Sequence, residues 1–194
     1  MELSPHTQFF GSLVDLDCHI QDLKLILKKT EEIEFSEHDE KGTLIADIHP
    51  DITRKSFIVT LLISLDSQLA GFCNLLMKYS DEPLKWNDLK GTALDRFIKY
   101  TEKVCGLDSV CDEATKQKVK GLIEVRNCIV HNDSCLENYG KATLIRNFSS
   151  HISGMDLDDD YIELSYEACL ECADMVPAFI RQAYNSALEK FPSS

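Results

Sequence analysis

Phe9, Leu13, Leu16, Ile20, Leu23 and Leu27 recur at steps of three and four. That spacing lines one face of an α-helix and predicts a first helix over residues 6–33. Residues 34–50 are polar and hold Gly42 and Pro50, so the pattern expects a loop there. From residue 51 to 79 the apolar positions Phe57, Ile58, Leu61, Leu62, Leu65, Leu69, Phe72 and Leu76 cover more than one narrow stripe. A helix apolar on several sides belongs at the centre of a bundle.

Residues 80–91 (SDEPLKWNDLKG) read as a loop, with Pro83 and Gly91 as breaks. A third helix over residues 92–106 is expected to end at Gly106. A fourth begins near Asp112 and runs to His131. Residues 144–148 and 161–164 are expected to pair as a short hairpin around the acidic loop MDLDDD, residues 155–160. The last helix follows Ser165, a good N-cap, reaches Glu189, and is expected to kink at Pro177. The pattern thus predicts a mostly α protein. It is an up-and-down bundle of about five helices in a single domain, residues 1–194, with a short β-hairpin before the last helix.

Eight glycines and five prolines in 194 residues agree with long helices. The formal net charge of −13 repels non-specific polyanions, so any nucleic-acid function must rest on a local basic patch. The amino terminus lacks a signal-peptide pattern, and the apolar run at residues 57–65 is short for a bilayer span. A cytoplasmic protein without a membrane partner is the expectation. The eight irregularly spaced cysteines then read as reduced thiols. Cys169 and Cys172 form a single CxxC, and Cys128 and His131 are partners for it on paper only. Small thiols packed in the core are the better reading. The acidic loop lacks the glycine and final glutamate of a calcium site. GxxxxGK, GxGxxG and HExxH are absent, so no cofactor or metal is expected. Trp86 and Tyr100 read as core residues, since no basic–aromatic alternation surrounds them.

The chemistry concentrates in VRNCIVHNDS, residues 125–134. On a wheel of about 100° per residue, Val119, Leu122, Ile123, Val125, Ile129 and Val130 form one apolar arc. Arg126 falls inside it, and Asn127 and His131 share its edge. An arginine there is costly unless its guanidinium is paired or opens to a cleft. One reading is structural: Arg126 snorkels, His131 favours the helix C-terminus, and Asn127 is an exposed amide. The other gives each a task. Arg126 clamps a phosphate, His131 moves a proton, and Asn127 fixes the ring or holds a phosphate oxygen. Together they suit metal-free attack of an RNA 2′-hydroxyl on its neighbouring phosphate. A symmetric dimer would supply the second proton carrier. Lys116, Lys118 and Lys120 precede the motif, and Lys116 and Lys120 are the candidate RNA-binding cations.

Arg126 to His131 has the form RNxxxH, which resembles the R-x4–6-H motif of the HEPN superfamily. LLISLDSQLAGFCNLL resembles the long central helix of that family. LKGTALDRFIKYTEKVCGL resembles the connecting helix of stand-alone members from bacterial defence and toxin loci. The likeness spans residues 51–135, and the two ends match only by helix count. It implies a helical bundle that dimerises with the two motifs facing across a cleft. It also implies metal-independent endoribonuclease activity in a toxin–antitoxin or phage-defence setting, with an antitoxin or regulatory protein as partner. By position, Arg126 and His131 become the catalytic pair and Asn127 the supporting polar residue. Some HEPN toxins carry a modifiable tyrosine two residues after the histidine; here that position is Asp133. Many carry an acid on the central helix; alignment puts Ala70 there, with Asp66 one turn earlier. A non-catalytic module binding a protein or nucleotide in the same cleft is the alternative.

Overall fold

A computed structural model describes residues 3–33, 40–108 and 110–192, without the side chains of residues 40–48. Among the described residues the chain forms six α-helices and one two-stranded sheet. They are α1 (Pro5–Glu31), α2 (Glu40–Tyr79), α3 (Ala93–Ile98), α4 (Glu113–His131), α5 (Ala142–Ser149), β1 (Met155–Asp158), β2 (Tyr161–Leu164) and α6 (Tyr166–Lys190). The architecture is mostly α, with the hairpin directly before the last helix.

The helix starts follow from caps. Ser4, Thr92, Asp112 and Ser165 each accept a hydrogen bond from the backbone N–H three residues on. The six apolar positions expected along α1 are the six it buries. α2 is the centre, packed against α1, α4 and α6. Ile58, Leu61, Leu62, Leu65, Phe72 and Leu76 on it have no exposed surface. Residues 49–79 have the length and apolar character of a bilayer span, and the packing accounts for much of that character. One end of the core is aromatic: Phe72 meets Tyr184 edge-on at 4.8 Å and Phe9 at 5.4 Å between ring centroids.

Three expectations are corrected. Residues 40–50 are helical, and Pro50 lies inside α2. Residues 34–39 of the expected loop lie outside the described residues. Proline fixes a φ that a helix accepts and costs one backbone bond plus ring crowding, roughly 3 kcal/mol. A long buried helix offsets that. Residues 144–148 are not a strand but part of α5, because Ile145 and Phe148, three apart, are the buried pair. β2 pairs instead with β1, in the register Met155 with Leu164 to Asp158 with Tyr161. The acidic segment is therefore mostly strand. Its last two residues, Asp159 and Asp160, make the turn at φ 43° and 69°, the positive values that a tight two-residue hairpin needs. The third helix changes pitch, passing into a π-helical segment at Lys99–Val104 before Gly106 ends it at φ 59°. α6 runs unbroken past Pro177.

Candidate functional site

α4 carries the site, and its exit is firmly tied. The Cys128 carbonyl accepts from the backbone N–H of both Asn132 (2.9 Å) and Ser134 (3.1 Å). The Asn132 side-chain amide donates to the Cys135 carbonyl. Asp133 and Ser134 reverse the chain at φ 50° and 63°. These bonds fix the last turn of α4, where His131 sits exposed.

The apolar arc of α4 divides in two. Val119, Leu122, Val125 and Cys128 are buried, while Ile123 and Ile129 are half-buried and Val130 is 48% exposed. Arg126, Val130, Ile123, Asn127 and His131 follow in that order across a sector of about 140°. Apart from Val119, which falls within it and is buried, this sector faces away from the buried one. Lys116 and Lys120 fall in it too, eleven residues and one turn apart from Asn127 and each other in helical phase, whereas Lys118 points to the opposite side.

Arg126 is paired, but sparingly. Its Nη2 donates to Asp66 Oδ2 of α2 at 3.1 Å. Its Nε is buried without a hydrogen-bond partner among the described residues. Burial pushes the Asp66 carboxyl above the ordinary value, and the Arg126 charge only partly opposes that. Asp66, not Ala70, is thus the acid of the central helix that meets the motif; Ala70 packs against the core.

Sequence reasoning did not single out Glu124. It is 6% exposed and bonded on several sides. Lys141 Nζ donates to its Oε1 at 2.6 Å, and the Tyr139 hydroxyl donates to its Oε2 at 2.7 Å. Asn127, one turn on, adds a smaller favourable influence on the same carboxylate. Burial pushes Glu124 up, but these partners together hold it below the ordinary carboxylate value. The sequence signal was present: an acid next to the apolar arc, followed by a tyrosine and a lysine in the polar exit.

The lysines lie among acids. Lys116 pairs with Glu113 at 3.4 Å. Asp95 of α3 is held below the ordinary value chiefly by the Thr92 hydroxyl, with smaller help from Lys120 and Lys99. Cys169 and Cys172 pack in the core, and burial pushes the Cys169 thiol up to about 12 and Cys172 higher. Among the described residues no three His, Cys, Asp or Glu side chains gather as a metal site. The sequence matches no family model, and no curated protein and no solved structure matches it.

Proposed function

We propose that this protein is a metal-independent endoribonuclease of HEPN type, working as a homodimer. The observation that carries the reading is Arg126. It is a guanidinium within an otherwise apolar face, held by one bond to Asp66, and it shares an open sector of α4 with Asn127 and His131. A structural arginine would be expected to spend more of its donors. One with donors to spare beside an exposed histidine suits a phosphate and a proton transfer.

In this reading Arg126 holds a non-bridging phosphate oxygen and stabilises the charge that builds as the 2′-hydroxyl attacks. His131 takes the hydroxyl proton or delivers one to the leaving 5′-oxygen. Asn127 orients the imidazole one helical turn away or holds a phosphate oxygen. Lys116 and Lys120 lead the strand along the same helix face. The reaction needs an acid and a base at once, and a two-fold axis through this face would bring a second His131. Val130, with Ile63 and Ile52 of α2 at 62% and 57% exposure, supplies apolar surface for such contact.

The test is RNA cleavage in EDTA by the wild type and by Arg126→Ala and His131→Ala. The account expects wild-type cleavage to persist in EDTA and each substitution to abolish it. Cleavage surviving both substitutions overturns the assignment of this site. A dimer inactive on RNA would favour a binding module instead.

A further inference from the structure

α5 touches α4 at Gly121, where a Cβ would lie 2.6 Å from the Phe148 ring. Toward the start of α4 the space between the two helices opens into a cavity of about 380 Å3. Buried Phe148, half-buried Leu144 and exposed Ala114 give it an apolar part, and Gln117, Lys118, Asn147 and His151 give it a polar one. It lies on the side of α4 away from Asn127 and His131, and the RNA-cleavage reading does not use it. We propose that this cavity binds a small amphipathic carboxylate, with an aromatic or branched hydrocarbon body and one anionic head.

The charge of the head follows from the rim. None of the side chains lining the cavity is acidic, in a chain of net charge −13. Lys118 makes no hydrogen bond or ion pair among the described residues, unlike Lys24, Lys116 and Lys141. The acids near it are committed elsewhere. Asp174 pairs with Lys24, Glu171 accepts from the Ser153 N–H at 3.1 Å, and Glu113 engages Lys116 and Gln117. His151 shares its Nδ1 with the Asn147 carbonyl at 2.7 Å, which leaves its Nε2 edge for a ligand. An ammonium and, on the protonated ring, an Nε2–H match the two oxygens of a carboxylate. A phosphate dianion wants more donors than this rim offers. The body follows from the apolar part of the lining: Phe148, Leu144 and Ala114 favour a hydrocarbon body over a sugar.

The test is an NMR amide-shift titration of the intact protein with phenylacetate, its neutral isostere phenylacetamide, and inorganic phosphate. The proposal expects saturable phenylacetate binding, with shifts confined to residues 114–118 and 144–151. Phenylacetamide should bind roughly tenfold more weakly, the weight of a charge-assisted hydrogen bond, and Lys118→Met should weaken phenylacetate by a similar factor. Lys118 is exposed, so this substitution leaves the core untouched. No saturable shift at those residues overturns the proposal, and so does an isostere or a phosphate that binds there as well as the acid. Failure here leaves the ribonuclease reading standing, because none of the residues lining the cavity belongs to that site.

Discussion

Glu124 is where the chemistry of single residues is most exposed to test. A carboxylate this buried is tolerable because Lys141 and Tyr139 both turn to it. Its folded-state pKa lies below the ordinary value. It therefore adds stability that is fully present above the ordinary value and is lost as pH falls through the folded-state value. Glu124→Gln should flatten the acid limb of stability measured by urea unfolding against pH. Near neutral pH the same substitution should cost roughly 1–3 kcal/mol, the scale for disturbing a buried charged hydrogen-bond network. An unchanged acid limb would remove Glu124 from the account. The wheel drawn from sequence marked Arg126, Asn127 and His131 but passed over Glu124. A helical period shows which face a residue occupies, and the partners of Glu124 come from a turn fifteen and seventeen residues later. Asp66 was marked only as an acid one turn before Ala70, because matching it to Arg126 needs the vertical offset between α2 and α4, which only packing defines.

Among the elements, α4 and α5 meet closely at Gly121. Gly121 admits Phe148, and a methyl group there would overlap three ring and side-chain carbons at 2.6–2.7 Å. Gly121→Ala should therefore destabilise the fold by roughly 1–3 kcal/mol in spite of its better helix propensity. Thermal unfolding that shows stabilisation would contradict this packing. At the other end of the hairpin, Ser165→Ala should cost about 1 kcal/mol through loss of the cap on α6. Helices with a clear stripe and a cap, such as α1 and α6, were legible in the sequence. The early start of α2 was not, since Pro50 and Gly42 outvoted a backbone that continues through them. α5 was not either: five residues with three apolar positions fit a strand as readily as a helix.

For the whole molecule the issue is what covers the open face of α4 and α2. Val130, Ile63 and Ile52 leave more apolar surface there than a lone bundle requires. The account expects a dimer by sedimentation at micromolar concentration. It also expects Val130→Glu to give a folded monomer with no RNA cleavage, and an unfolding midpoint lowered only by the loss of association. A wild-type monomer would contradict the shared cleft. The fold class was legible in the pattern of the chain; the site was legible as a motif, but its environment of Asp66, Glu124, Tyr139 and Lys141 came only with packing. The most direct measurement is the chemistry of the cut ends. A defined RNA is incubated with the wild type and with His131→Ala, and the fragments are weighed by mass spectrometry. The account predicts 2′,3′-cyclic phosphate and 5′-hydroxyl ends from the wild type and intact RNA from the variant. Fragments ending in 3′-hydroxyl and 5′-phosphate, or fragments formed equally by both proteins, would contradict it.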